Sequence, residues 1–326
     1  MGCLRVLLLC TIIVYPFNIS MTVSGLLLIG FTKNVRATVS PSVLNGSRIS
    51  KTNLSSPLSE ASIILHLPLM MAQLLRTSKS TRDWTANELY AYNITVVPQN
   101  KEAFFDTTDF TEPSLPGFMV AETRQDARDK RTRQLLHYLE LAMDPKSGHE
   151  TAVVNFAAEL LKSLKYDDED SIVFTQRTIP FLTCGKNSVA QIDVCVIDED
   201  GMIMLLLQED KRLTNMNDPE AQVIAAAIAT YAFNNRKRER DLNLPGHKAI
   251  ILPCLTMTGS TPVFYQILIS GSLLKAVQTG IYPETETRVH RFIPALPRGN
   301  SEGMRPLANR LEILRCLGAF KRFFRL

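Results

Sequence analysis

Apolar residues between positions 171 and 209 follow the spacing of β-strands. Three strands are predicted there, at residues 171–182, 189–197 and 202–209. The last two are separated by the turn-forming sequence Asp-Glu-Asp-Gly at residues 198–201, which predicts a hairpin. The third strand carries apolar residues at both odd and even positions, so we expect it in the centre of a sheet covered on both faces.

Two predicted helices bracket these strands. Residues 149–165 carry apolar side chains at helical spacing. Asp218 and Pro219 have the order of an N-cap and a first helical position, and this second helix is expected to end near residues 234–235. Two further strands are predicted at residues 248–255 and 263–269. The order of elements predicts an α/β fold with a mixed central sheet and peripheral helices.

The remainder of the chain divides by composition. Residues 32–60 are rich in Ser, Thr, Asn and Pro and predict a flexible linker. Residues 61–146 predict a helical or irregular extension, and residues 147–300 hold the α/β core with its C-terminal extension. Residues 301–326 predict a basic amphipathic helix, which either grips phosphates or an anionic membrane, or packs its apolar side on the body of the protein.

The apolar segment at residues 1–31 has three interpretations. Residues 6–15 resemble the apolar part of a signal peptide, with a cut after Ser24. Taken as one segment, residues 4–31 are long enough to span a bilayer of roughly 30 Å and to anchor the chain in a membrane. The third interpretation is a gene-model artefact, because a chain that starts at Met21 or Met70 still contains the whole core. The pattern leaves all three interpretations open. If the segment is a real signal peptide or anchor, the protein is secreted or membrane-anchored.

The composition of the chain excludes few classes of function. The chain has 326 residues, of which 45% are hydrophobic and 21% charged, and a formal charge of +4, which by itself does not indicate a nucleic-acid binder. Its 6 cysteines include no C-x-x-C pair, so a zinc site finds no support. Cys184, Cys195 and Cys254 stand in or beside apolar runs and are expected to be small buried hydrophobes, which favours an intracellular core.

Three charged residues stand out at the ends of the predicted hairpin. Asp193 lies inside the second strand, and Glu209 and Lys211 share one face at the end of the third. Counting outward from the turn places Asp193 opposite the region of Glu209. Neighbouring carboxylates repel each other unless a cation joins them, and hard oxygen ligands select Mg²⁺ or Mn²⁺. This set predicts metal-assisted phosphodiester hydrolysis, with Asp193 and Glu209 holding the ion and Lys211 assisting the attack.

The motif Asp193, then Glu209-x-Lys211, in this order of elements resembles the PD-(D/E)XK nuclease superfamily. The resemblance implies a core of helix, three strands, helix and strand (α-β-β-β-α-β), a divalent metal, and DNA or RNA as the partner. It also implies that Glu150, on the first helix, is a further metal ligand. Gln222 stands on the helix after the motif, where some members carry a glutamine. The segments IDVCVIDEDG, LLLQEDKR and DPEAQVIAAAIATY also resemble fungal proteins, chiefly of mushrooms, that form large families without an assigned role.

Apart from Asp193, each candidate residue also has a purely structural interpretation. Glu150 completes the capping-box pattern Ser-Gly-His-Glu at residues 147–150. Glu209 and Lys211 could form an ion pair at a strand end, which stabilises little. Gln222 could simply lie on a helix surface. Two functions therefore follow from the sequence: a Mg²⁺-dependent nuclease, or a catalytically inactive protein of the same fold that acts as a binding or effector-like module.

Overall fold

The computed structural model describes residues 76–111, 115–144, 151–209 and 218–324. Within them, one sheet of seven strands has the order β1-β7-β6-β5-β4-β3-β2. The strands are β1 (Ile94–Pro98), β2 (Ser171–Thr183), β3 (Lys186–Asp198), β4 (Ile203–Glu209), β5 (Ala249–Thr258), β6 (Thr261–Ser270) and β7 (Thr287–Phe292). The predicted α/β class is therefore correct.

The helices of the described residues lie on both faces of this sheet. They are α1 (Ala86–Ala91), α2 (Lys101–Phe105), α3 (Pro116–Val120), α4 (Lys130–Met143), α5 (Ala152–Ser163), α6 (Pro219–Arg240), α7 (Gly271–Thr279) and α8 (Leu307–Phe320). Short 3-10 turns are formed by Thr81–Asp83, Asn300–Glu302 and Lys321–Phe324. None of the helices described is both long enough and apolar enough to cross a membrane. The predicted membrane segment at residues 4–31 lies outside the described residues.

The sheet is mixed, as the order of elements predicts. Strands β2, β3 and β4 form an antiparallel meander, and β5 lies parallel to β4. A parallel neighbour requires a crossover connection, and α6 is part of that connection. Strands β5, β6 and β7 continue antiparallel, and β1 closes the far edge parallel to β7.

Two hydrophobic clusters cover the two faces of the sheet. On the side of α4, α5 and α8, which we call the α5 face, the strands contribute Val194, Leu205, Leu207 and Leu255. On the other side, the α6 face, they contribute Ile197, Leu206, Cys254 and Ile267. Strand β4 thus has apolar side chains buried on both faces, which confirms its expected central position. Burial of this apolar surface is the main force that holds the layers together.

Helix α6 is longer than the sequence predicts. Asp218 caps it through the backbone N–H groups of Glu220 and Ala221, as expected. The asparagines at 234 and 235 do not end it, however, and the helix continues to Arg240. Asn234 is buried and bonds to both backbone polar groups of Ile203 on β4, with N–O distances of 3.0 and 2.8 Å. The side chain that suggested a helix end instead attaches the helix to the sheet.

Two elements differ from the sequence-based expectation. The segment 61–146 was expected to be helical or irregular, but Ile94–Pro98 forms β1. Residues 94–97 are all β-branched, which favours a strand, but the pairing partner β7 is far away in the sequence, so the place of β1 in the sheet has no local signal. The C-terminal helix packs its apolar side inward, but Arg310 is fully buried as well. Its guanidinium donates to the carbonyl oxygens of Phe118 and Ala121 at 2.8 and 2.6 Å, and burial lowers the pKa of Arg310 to about 10.

Candidate functional site

Asp193 lies where strand β3 loses its regular alternation. Residues two apart on a strand face the same side, yet Ile192 packs in the α6-face cluster and Val194 in the α5-face cluster. On the neighbouring strand, Gln176 lies between the partners of Val194 and Ile192 and has a left-handed φ of 53°. Because of this irregularity, the side chain of Asp193 need not lie on the face that strict alternation would assign to it.

The carboxylate of Asp193 lies between β3 and β4. The register of these strands runs from Ile197–Ile203 to Val194–Leu207, and Asp193 comes next on β3. Its Oδ2 accepts the backbone N–H of Glu209 at 2.9 Å and a hydrogen bond from the side-chain amide of Gln208. Only 5% of Asp193 is exposed. The carboxylate thus takes the place of a backbone carbonyl as the acceptor for Glu209, and it extends the hydrogen bonding between β3 and β4 beyond their last paired residues.

Arg82 brings a positive charge to this carboxylate. Its Nη2 lies 3.3 Å from Oδ1 of Asp193, and 45% of the Arg82 side chain is exposed. Arg82 belongs to the 3-10 turn Thr81–Asp83, and the side chain of Gln222 on α6 donates to its carbonyl oxygen at 2.9 Å. Gln222 is buried, so its interpretation as a helix-surface residue is wrong. It fixes the backbone that presents Arg82.

Glu209 is the last residue of β4 and is 9% exposed. Alternation along β4 assigns it to the α5 face with Leu207, while Gln208 lies with Leu206 on the α6 face. Across the sheet, Glu209 is in register with Met257 of β5, which belongs to the α5-face cluster. The two candidate carboxylates are therefore at the same end of the sheet, with Glu209 on the α5 side and Asp193 between the strands.

The end of α4 lies at the same end of the sheet. Met143, the last residue of α4, accepts hydrogen bonds on its sulfur from the backbone N–H and the hydroxyl of Ser260, at 3.2 and 2.9 Å. Ser260 is in the turn that follows β5, close behind Met257, the register partner of Glu209. Glu150 and Lys211, the other predicted site residues, lie outside the described residues. Their roles stay predictions.

A polar row continues from Asp193 across the α6 face. Gln208 is in register with Thr256, which is buried beside Tyr265, and Tyr265 is in register with Arg291. Glu220, at the start of α6, pairs with Arg291 at 2.9 Å. Burial raises the pKa of Tyr265, and the nearby negative charge of Glu220 raises it further. The row is polar but largely satisfied internally, which is the usual condition for buried polar groups.

Sequence reasoning missed two residues that touch Asp193. Gln208 was concealed inside the apolar run of β4, although a glutamine buried on a central strand is itself a signal of a polar partner. Arg82 stands in a segment without a recognisable pattern, 111 positions from Asp193 in the chain, and no spacing rule connects them. Among the described ranges, no three His, Cys, Asp or Glu side chains are grouped to hold a metal ion.

The described residues thus define an α/β protein with a mixed seven-stranded sheet and a charged cluster at one end of its central strands. No family model matches the sequence, and no characterised protein matches it either.

Proposed function

We propose that this chain is a Mg²⁺-dependent nuclease of the PD-(D/E)XK type, which hydrolyses phosphodiester bonds of DNA or RNA. One observation carries the proposal: Oδ2 of Asp193 lies 2.9 Å from the backbone nitrogen of Glu209. The two acidic positions of the motif, distant in sequence, therefore meet at one end of the sheet. Both are buried, and burying a carboxylate costs free energy unless it has partners or a cation.

The order of elements around the site supports the proposal. Helix α5 is followed by the meander β2-β3-β4, then by α6 and by β5, which lies parallel to β4. This is the order of helix, three strands, helix and strand that the resemblance implies. Asp193 is on the second strand of the meander and Glu209 at the end of the third, which supports the resemblance.

The donor atoms at this end of the sheet suit a hard cation. Asp193 and Glu209 would supply carboxylate oxygens to Mg²⁺ or Mn²⁺. Glu150 is the proposed further ligand, because the resemblance implies an acidic ligand on the first core helix and Glu150 stands two residues before α5 in the sequence. Lys211 follows the end of β4 by two residues and is proposed to hold the attacking water or the charged phosphate oxygen. The metal, when bound, would lower the pKa of water and stabilise the leaving oxyanion.

A second candidate function is favoured by the contacts of Asp193. Its carboxylate accepts hydrogen bonds from Gln208 and from the backbone of Glu209, and it pairs with Arg82. A carboxylate with these contacts can have a purely structural role. The chain would then be a catalytically inactive member of the same fold, acting as a binding or effector-like module.

A cleavage assay separates the two functions. Fluorescently labelled single-stranded DNA, duplex DNA and RNA are incubated with the full chain in Mg²⁺, with EDTA, and with the variants Glu209→Ala and Lys211→Ala. The nuclease is expected to cut in Mg²⁺ only, and each variant to lose at least about 100-fold in rate, the usual size of an electrostatic or acid-base contribution. Glu159→Gln, which changes a carboxylate paired with Lys162 on α5, is the matched control and should keep full activity.

Two results would contradict the proposed nuclease function. One is the absence of cleavage of all three substrates by a folded wild-type protein that also binds no Mn²⁺. The other is cleavage that the two variants retain in full, since the activity would then come from another site or a contaminant. Binding of a nucleic acid without cleavage would instead support the inactive module.

A further inference from the structure

The contact between Arg82 and Asp193 joins a half-exposed cation to a buried anion. Nη2 of Arg82 lies 3.3 Å from Oδ1, and 45% of the Arg82 side chain is exposed against 7% of the Asp193 side chain. Arg82 lies outside the motif and outside the core elements that carry it. We propose that Arg82 is a phosphate-binding residue of the nuclease site, which pairs with Asp193 in the metal-free protein and turns to a phosphate of the substrate when a divalent cation binds. This inference rests on the proposed function.

The electrostatics favour an exchange of partners. The positive charge of Arg82 compensates the negative charge of Asp193. A divalent cation bound to the same carboxylate does this more strongly, and it repels the guanidinium. Metal and Arg82 therefore compete for Asp193, so a protein without Arg82 should bind the metal more tightly.

The backbone around Arg82 is fixed while its side chain can move. Gln222, buried on α6, donates to the carbonyl oxygen of Arg82 at 2.9 Å. The flanking Thr81 and Trp84 are almost completely buried. The guanidinium is half exposed, so water can replace its contact with Asp193, while the bound cation would compensate the charge of the buried carboxylate. Arg82 can therefore leave Asp193 at low cost without disturbing the turn that carries it.

An arginine side chain is well suited to bind a phosphate group. Its planar guanidinium has donors that match two oxygens of one phosphate, and it stays charged at any pH of interest. At this end of the sheet the candidate ligands are anionic, so an anionic substrate requires a positive group beside them. Arg82 is an arginine in direct contact with Asp193. The ligand class that fits is a phosphodiester of a nucleic acid.

The test measures metal and substrate binding separately from activity. Mn²⁺ affinity of the full chain is measured by electron paramagnetic resonance for the wild type, Arg82→Gln and Arg82→Lys. Binding of a labelled 16-nucleotide DNA is measured in Ca²⁺ over a series of salt concentrations. The matched control is Arg124→Gln, because Arg124 is an arginine of similar exposure that pairs with Glu140.

Arg82→Gln is expected to bind Mn²⁺ about 5-fold more tightly, because a competing charge is removed. It should bind the DNA about 10-fold more weakly, with the slope of affinity against salt reduced by about 1, as for the loss of one phosphate contact. Arg82→Lys keeps the charge, so its Mn²⁺ affinity should remain near that of the wild type. Its DNA affinity should fall about 3-fold, since lysine cannot make the two-oxygen contact.

The possible failures are distinguishable. If the wild type binds Mn²⁺ and cuts nucleic acid but Arg82→Gln changes neither affinity, Arg82 is a structural residue and the inference is wrong while the nuclease stands. If the folded wild type neither binds Mn²⁺ nor cuts any of the three substrates, both proposals are wrong. If Arg82→Gln does not fold, Arg82→Lys decides, because unchanged DNA affinity and unchanged salt slope in that variant would contradict a bidentate phosphate contact.

Discussion

Asp193 accepts the backbone N–H of Glu209 at 2.9 Å and thereby attaches the end of β4 to the irregular point of β3. The same oxygen accepts the side-chain amide of Gln208, so one carboxylate satisfies two buried donors. Asp193 has a structural role whether or not the site binds metal. Its substitution must therefore be examined for stability and for function separately.

We predict that Asp193→Ala lowers the free energy of unfolding by about 2–4 kcal/mol, because two buried donors lose their acceptor. Asp193→Asn keeps one acceptor oxygen and should lose about 1 kcal/mol, while its Mn²⁺ binding should be lost as in Asp193→Ala. Urea unfolding followed by circular dichroism measures the difference. Asp200→Ala, in the exposed β3–β4 turn, is the control and should stay within about 0.5 kcal/mol of the wild type. Equal stability of all variants would show that the Asp193 bonds do not support the fold.

The neighbouring asparagines of α6 offer a comparison of buried and exposed hydrogen bonds. Asn234 bonds to the backbone N–H and carbonyl of Ile203 inside the protein, and Asn235 bonds in the same way to His247 near the surface. Asn234→Ala should lower the free energy of unfolding by about 2–3 kcal/mol, because the polar groups of a buried strand end are left unsatisfied.

For Asn235→Ala we expect a loss of about 0.5–1 kcal/mol, because water replaces the lost partner. Thermal and urea unfolding of the two variants in parallel give the comparison. Equal losses would mean that burial at this point of α6 has no energetic consequence, contrary to the arrangement of Asn234 against β4.

Arg310 is expected to support stability through hydrogen bonds to carbonyl groups. It donates to Met304, Arg305, Phe118 and Ala121, and its guanidinium carbon lies 4.6 Å from the centre of the Phe118 ring. Arg310→Met keeps the apolar stem but leaves buried carbonyl oxygens without donors, so it should lower the free energy of unfolding by about 3 kcal/mol.

The exposed Arg305 is the matched control for Arg310. Arg305→Met removes the same charge from the surface, and its effect should lie within about 0.5 kcal/mol. If both variants are equally stable in urea unfolding, the buried guanidinium contributes nothing net, and its cost of desolvation cancels its hydrogen bonds.

The apolar pattern by itself determined the succession of strands and helices from α5 to β6. Alternation marks strands and a period near 3.6 marks helices, and both are local properties that the sequence carries. The pattern also placed β4 in the middle of the sheet, because apolar residues on both faces require cover on both. The hairpin turn at residues 198–201 brought Asp193 to the end of β4, so the pairing of Asp193 with the Glu209 region was accessible from counting alone.

Only the tertiary structure decided which side chains complete the site. Arg82 reaches Asp193 because a 3-10 turn packs on α6, and Gln222 is buried because that turn covers it. Strand β1 and the burial of Arg310 depend in the same way on partners far away in the chain. Such contacts arise from the packing of distant surfaces, which leaves no period or spacing in the sequence. The sequence therefore determined the elements from α5 to β6 and the pairing of Asp193 with the Glu209 region, and packing decided which residues surround these two carboxylates.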